Sequence, residues 1–395
     1  MEFIHYKEAL QKIREVVLDL GVEYLPLSDS IHRYVAEDIM APIDIPPFDN
    51  SAMDGYGFSI ESLSMSTFYP IIHEVKAGSF CHSEILPGQA IRIYTGAPVP
   101  KGVNLVVMKE HCFAENNQVK ITDGAITKGL NIRPKGSQSQ KGQNILQKNT
   151  KITAGVIGFL AGFGINTIPV YKVPRVGVIV TGDELVKPGI TLRPGQIYES
   201  NSIALLALLR EMHMEPLFVH WVEDTLEKLS DEISQVVKLV DVLLLTGGIS
   251  VGDYDFVQPA LQKNGFERIF YKIKQRPGKP LFFGRKNEVV VFALPGNPAS
   301  VYTCFQVYVK PFLKNLCSGN QYFQEYHKGK LLHDFEKKKG LTHWLKSIEK
   351  DGKIKILQGQ ESYKMDSIAA ANCLAILEEE IESLKAGSVV SFIKI

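Results

Sequence analysis

Five loops of this chain combine the residue types that handle phosphate. They read Thr181-Gly182-Asp183-Glu184, Glu223-Asp224, Thr246-Gly247-Gly248-Ile249-Ser250-Val251-Gly252-Asp253-Tyr254-Asp255, Arg276-Pro277-Gly278-Lys279 and Leu294-Pro295-Gly296-Asn297-Pro298. Glycine-rich turns expose backbone N–H groups to anions, lysine and arginine neutralise them, and carboxylates hold a hard cation such as Mg²⁺. Singly, Gly-Asp and Pro-Gly are ordinary turn dipeptides. Five such loops on one edge favour a site for a phosphate-bearing substrate. A sixth stretch, Pro46-Pro47-Phe48-Asp49-Asn50-Ser51-Ala52-Met53-Asp54-Gly55-Tyr56, reads locally as a proline stop before an Asp-Gly hairpin turn, and Thr95-Gly96-Ala97-Pro98-Val99-Pro100 as a plain turn.

Other chemistries find little support. There is no P-loop string and no G-x-G-x-x-G after a strand, and the ten histidines show no metal-ligand spacing. Gly248-Ile249-Ser250-Val251-Gly252 matches the letters of a nucleophile elbow, but Gly252-Asp253 does not open a helix, so a serine hydrolase is disfavoured.

The elements that must position these loops follow from hydrophobic period. Between residues 174 and 322, short apolar runs at 176–181, 216–222 and 242–246 alternate with helical patterns at 203–212, 226–240 and 256–263, the signature of βαβ units and a parallel sheet. Ligands of such sheets bind outside the carboxyl ends of the strands, where all five loops fall. Asn297 as N-cap and Pro298 at the first turn start a further helix that ends before Gly319. Upstream, Ile4, Leu10, Ile13, Val17 and Leu20 space an amphipathic helix stopped by Gly21. Residues 45–141 turn to short alternating runs, with Asn116-Asn117 as a hairpin turn. Residues 154–165, apolar with four glycines, read as a buried, close-packed helix, well short of the roughly 20 residues that span a bilayer. The fold class expected is multidomain α/β plus β. A discontinuous N-terminal mixed domain (1–45 and 140–173) is interrupted by a mostly β insertion (46–139), and the α/β domain (174–322) and a small C-terminal β module (323–395) follow.

Composition agrees. The 395 residues suit two to four domains, and 44 Lys and Arg against 43 Asp and Glu leave a net charge of +1, which gives no general attraction to nucleic acid or anionic membrane. Five scattered cysteines, never in a Cys-x-x-Cys pair, argue against a disulfide framework and fit a reducing cytoplasm. Charged Glu2, Lys7 and Glu8 in the first apolar stretch do not suit a signal peptide.

Taken in order along the chain, these strings resemble the molybdopterin molybdenumtransferase family, the MoeA type that includes the E domain of gephyrin. Ala36-Glu37-Asp38-Ile39, residues 46–56, residues 95–100, Asn131-Ile132-Arg133, residues 181–185, 246–255, 276–280 and 294–298 carry the likeness. The resemblance implies a cytoplasmic enzyme that takes adenylylated molybdopterin and molybdate, inserts molybdenum at the dithiolene and releases AMP with Mg²⁺ assistance. It also implies a homodimer whose cleft lies between the α/β domain of one subunit and the β insertion of the other, with possible contact with other cofactor-biosynthesis proteins. By matching position the acids are Asp54, Glu184, Asp224 and Asp255, with Asp54, Glu184 and Asp255 as metal ligands. Substrate-binding positions are Thr95, Gly247, Gly248, Ser250, Lys272, Arg276, Lys279, Pro295 and Asn297. Three positions depart from the family pattern. Gly136-Ser137-Gln138 stands where Gly-Glu-Asp is usual, Gly340-Leu341 replaces Gly-Arg, and Lys346 replaces an arginine, so molybdate affinity or metal requirement is expected to differ. A non-catalytic pterin-binding scaffold and a nucleotide pyrophosphate hydrolase are the alternatives, ranked in that order behind the enzyme.

Overall fold

The computed structural model describes residues 3–65, 67–249 and 256–395. The chain forms two compact units, one of residues 1–24, 32–36 and 169–395 and the other of residues 25–31 and 37–168.

Helix α1 (Tyr6–Glu15) belongs to the first unit; the His5 ring accepts a hydrogen bond from the Lys7 amide at its start, and Tyr6, Ala9 and Ile13 are buried. It stops six residues before the expected glycine. Val16 takes extended backbone (φ −84°, ψ 104°), and burial then alternates, with Val16 and Leu18 inside and Val17 58% exposed. Two consecutive β-branched residues crowd the preceding helical turn, and the alternating pattern suits extended chain better.

The second unit holds a six-stranded sheet of β1 (Gly55–Phe58), β2 (Tyr69–Val75), β3 (Ala90–Ile93), β4 (Leu105–Met108), β5 (Cys112–Glu115) and β6 (Gln118–Ile121), in the order β4-β1-β3-β2-β6-β5. Both its faces are packed. Phe58, Tyr69, Leu105 and Val119 gather on one side, and Val75, Ile91, Ile93 and Val106 on the other. Asn116 and Asn117 have φ of 46° and 59° and close the β5–β6 hairpin, as their types demand. Helix α2 (Ala154–Ala161), capped by the Thr153 hydroxyl, differs from expectation: only Leu160 is buried, and a Cβ added at Gly158 would meet nothing within 4 Å. Its glycines are not close-packing positions within this chain.

In the first unit, strands β7 (Val176–Thr181), β8 (Phe218–Val222), β9 (Val242–Thr246), β10 (Glu267–Lys272), β11 (Gln275–Arg276), β12 (Pro280–Lys286) and β13 (Val289–Leu294) follow. All but β11 form one sheet in the order β8-β7-β9-β13-β12-β10. The first four are mutually parallel and the last two pair antiparallel. Every residue of β7 and β9 is buried, as a sheet covered on both faces requires. Helices α3 (Asn201–Glu211), α4 (Leu226–Val236), α5 (Val257–Lys263), α6 (Pro298–Cys304) and α7 (Lys310–Cys317) accompany it, α6 and α7 joined by a π-helical turn at Phe305–Val309. The last module consists of β14 (His327–Leu331), β15 (Thr342–Lys350), β16 (Lys353–Ile356), α8 (Asp366–Ala370), β17 (Cys373–Leu377) and β18 (Val389–Lys394). Its strands pair β15-β16-β14-β18-β17 and β17 returns to β15, closing a small barrel; β11 adds to β15 from outside. Among the described residues no helix is long and apolar enough to cross a membrane.

Candidate active site

At the carboxyl end of the parallel strands, Gly247 (φ +92°) follows β9 so closely that an added Cβ would lie 1.9 Å from the Thr181 carbonyl oxygen. Only glycine fits there. Thr181 in turn donates its hydroxyl to Asp224 Oδ1 at 3.0 Å, and the Asp224 amide donates to Asp183 Oδ1 at 3.2 Å. Asp224 is therefore tied to the end of β7, while Glu184, two residues further along the same loop as Gly182, is exposed. Asn201 opens α3 and pins two more loops: its Nδ2 donates to Thr246 Oγ1 (3.1 Å) and to the Gly296 carbonyl (2.8 Å), and the Thr246 hydroxyl donates to the Pro295 carbonyl (3.1 Å).

Beside these loops lies a cavity of about 450 Å³ whose walls include Lys272, Arg276, Lys279, Pro295, Asn297 and Ile249. Five of the positions that the resemblance implies for substrate, Lys272, Arg276, Lys279, Pro295 and Asn297, line this one cavity. None of the three cations has a carboxylate partner among the described residues. The lysine ammonium groups instead face the Phe3 ring, Lys279 at 4.6 Å and Lys272 at 5.8 Å from its centre, a cation–π arrangement that brings no negative charge.

The loop that carries Arg276 and Lys279 hangs on a buried amide. Gln275 is fully buried, and its Oε1 accepts from the Tyr308 hydroxyl and from the Trp344 indole (3.1 Å), while its Nε2 donates to the Gly278 carbonyl (2.9 Å). Burial holds the Tyr308 phenol well above its ordinary pKa, so it remains a donor. Gly278 itself (φ +81°) leaves no room for a side chain, since a Cβ would come within 2.3 Å of Cys304 Sγ. Asn297 is the N-cap residue of α6, but its side chain makes no cap bond; its Nδ2 donates to Ser362 Oγ (3.1 Å) from the barrel module. Phe3, Asn201, Gln275 and Ser362 carry no local sequence signal for a site.

Lys346 is not an anion-binding side chain. It is fully buried, and its ammonium donates to the carbonyls of Gly359 (2.5 Å), Glu361 (3.1 Å) and Lys364 (3.1 Å). All three of its donors are used.

In the second unit, Asp54 does not lie in a hairpin turn. It ends a bend before β1, and Gly55 enters the strand because an added Cβ would lie 1.9 Å from the Val107 carbonyl oxygen. Asp54 Oδ1 accepts from both the amide and the hydroxyl of Thr95, each at 2.8 Å, and these bonds hold its carboxyl below the usual range. Three motifs assemble around it. Ser51 and Gly96–Ala97 exchange backbone bonds, Ala52 donates to the Asn131 carbonyl (2.8 Å), and Ser51 pairs with Ile132. Gln138 is pinned through its amide to the Ile45 carbonyl, with the residue exposed. Ser250 and Asp255 lie outside the described residues.

A family model described as the MoeA N-terminal region (domain I and II) matches residues 4–164, a probable molybdopterin binding domain matches 177–315, and the MoeA C-terminal region (domain IV) matches 328–395. The molybdopterin molybdenumtransferase of Bacillus subtilis is 32% identical over 98% of this chain and 93% of its own length. The chain belongs to the molybdopterin molybdenumtransferase family. The Haemophilus influenzae member is likewise 32% identical, over 93% of each chain. Among solved structures, the molybdopterin biosynthesis MoeA protein of Pyrococcus horikoshii superposes with a TM-score of 0.87 at 29% identity, covering 100% of this chain and 99% of that one. The mixed α/β architecture with a β insertion and a small closing β module is therefore that of the family.

Proposed function

We propose that the chain acts in molybdenum cofactor biosynthesis, taking adenylylated molybdopterin and molybdate, placing molybdenum at the dithiolene and releasing AMP. The observation that carries this reading is the cavity lined by three cations, Lys272, Arg276 and Lys279, that have no carboxylate partner among the described residues, beside the glycine-rich strand ends. A pyrophosphate linkage and an incoming oxyanion are both polyanionic, and charge-assisted bonds from these side chains stabilise them and the AMP phosphate that leaves. Gly247 and Gly248 allow the backbone to approach the same substrate closely.

Asp54, held ionised by Thr95, serves as a hydrogen-bond or cation acceptor and not as a proton donor near neutral pH. No group of three metal-ligating side chains gathers among the described residues. The oxygen donors at the strand ends, exposed Glu184 and half-buried Asp224, suit Mg²⁺ bound in its usual way, through one or two carboxylates and substrate phosphates. Glu184 and Asp224, the latter also bonded by the Thr181 hydroxyl, would be the rim carboxylates that hold it, with Asp255 and Asp54 as the further positions that the resemblance implies. When bound, the ion would offset pyrophosphate charge.

The same reading includes a cytoplasmic homodimer with a shared cleft. Two apolar surfaces support association: α2, half-exposed at Val156, Ile157 and Phe159, and edge strand β8, with Val219 42% and Trp221 37% exposed.

The test is AMP binding by Lys279→Met and Arg276→Met. At least a tenfold loss in each, with the circular dichroism of the parent protein retained, is expected; parent-like affinity in both would remove the cavity from the site.

A further inference from the structure

Arg276 has a second side. It also borders a cavity of about 490 Å³ walled by Asp334, Phe335, Leu357, Gln358 and Glu361, a size ordinary for a small-molecule site. Unlike the first cavity, this one has carboxylates in its wall, each with a lysine beside it: Asp334 with Lys385 at 2.8 Å and Glu361 with Lys364 at 3.5 Å.

Asp334 is held in place by two bonds, accepting from the Lys385 ammonium at Oδ2 and from the Ala386 amide at Oδ1, each at 2.8 Å. These bonds keep it ionised, its carboxyl below the usual range. A carboxylate offers about four lone-pair positions, so each oxygen can accept once more. Glu361 Oε2 is buried with no hydrogen-bond donor, its nearest cation being Lys364 at 3.5 Å. Gln358 is exposed and its amide is uncommitted among the described residues. Half-buried Phe335 and Leu357 supply apolar wall. Next to Arg276, His343 pairs with it across β11–β15, and burial lowers its imidazole to a pKa of about 4, so it adds no positive charge near neutrality.

A cavity with carboxylate acceptor positions still open and apolar wall beside them suits a flat, neutral heteroaromatic ring that presents adjacent N–H donors to a carboxylate. The 2-amino-pyrimidinone edge of a pterin does so. Adenine does not, because its amino group lies beside a ring acceptor. We propose that this cavity binds the pterin ring of the substrate whose phosphates lie against Lys272 and Lys279, with Arg276 at the junction of the two halves and Asp334 accepting the pterin's paired N–H groups. The assignment rests on the anion-site reading above and adds where the other end of the substrate goes.

Calorimetric titration with 6-hydroxymethylpterin, which has no phosphate, and separately with AMP distinguishes the two. Asp334→Asn removes the second acceptor charge, and Gln358→Trp fills the cavity from an exposed position. Both should weaken 6-hydroxymethylpterin binding at least tenfold and leave AMP affinity within twofold of the parent. Unchanged pterin binding in both variants, or no pterin binding by the parent protein, overturns the proposal. Loss of AMP affinity with pterin binding retained would give the cavity to adenine and also overturn it. Failure of the parent to bind AMP at all, with pterin binding sensitive to both variants, would count against the anion site and support this one.

Discussion

Gln275→Leu should disconnect the cation-bearing loop from its supports. Leucine nearly conserves volume but leaves two buried groups without their partner, the Tyr308 hydroxyl and the Trp344 indole N–H, and the Gly278 carbonyl with only the weak Cys304 thiol donor at 3.7 Å. Each buried group stripped of its partner costs about 1–3 kcal/mol. They share one site, so relaxation makes the sum less than additive, and a loss of about 3–5 kcal/mol is expected. That is a large fraction of the 5–15 kcal/mol typical of a folded domain. Urea unfolding followed by tryptophan fluorescence reads it directly, because Trp344 is itself one of the partners and is 1% exposed, whereas Trp221 lies near the surface. AMP affinity should fall at least tenfold as Arg276 and Lys279 lose their fixed positions. Gln275→Glu keeps the acceptor for Tyr308 and Trp344 but cannot donate to Gly278 when ionised, and should rank between the two. Parent-like unfolding together with parent-like AMP affinity in Gln275→Leu would refute the idea that this amide holds the loop.

Asp54→Asn should fold normally and lose at least tenfold in turnover, about 1.4 kcal/mol of transition-state stabilisation, measured as AMP formation. Thr95→Val removes the hydroxyl donor, so the Asp54 carboxyl should rise toward its ordinary value and the acid limb of the rate profile should move to higher pH; an unmoved limb would exclude Asp54 as its source. His343 has a folded-state pKa of about 4 against an ordinary 6.5, so its contribution to stability is full above pH 6.5 and is lost as pH falls toward 4. His343→Gln should flatten that part of the stability–pH curve. Lys346→Met removes three charge-assisted hydrogen bonds, although the carbonyls keep the Ser367 hydroxyl or the Lys364 amide, and should destabilise the barrel module by about 1–3 kcal/mol while leaving molybdate dependence unchanged. Gln138→Asp should alter the Mg²⁺ dependence of the rate if its position faces the metal, and an unchanged dependence would show that it does not.

The sequence made the loops of the site legible because their chemistry is local. Gly247, Pro295, Asn297 and the basic run at 276–279 announce themselves by type and by following apolar strands, and the structure gathers the cations as those positions required. The start of α6 and the Asn116–Asn117 turn were readable for the same reason. What failed was anything decided by remote partners. The Ile13–Leu20 spacing fitted a helix, yet Val16–Val17 preferred extended chain. The glycine-rich α2 looked buried because nothing in an apolar run states whether a neighbour covers it. Gln275 is anchored by Tyr308 and Trp344, and Ser362 bonds Asn297, all far away in sequence, and Lys346 satisfies itself on carbonyls that no side-chain pattern reveals.

The central claim is that one site couples molybdate to cleavage of an adenylylated pterin. A single-turnover reaction of the purified protein with adenylylated molybdopterin and Mg²⁺, with and without molybdate, measures it by counting AMP released and molybdenum retained on the pterin. The account predicts AMP and pterin-bound molybdenum in equal amounts, and neither when molybdate is left out. AMP formed at the same rate without molybdate would make the chain a pyrophosphate hydrolase, and binding of both substrates with no AMP at all would make it a scaffold.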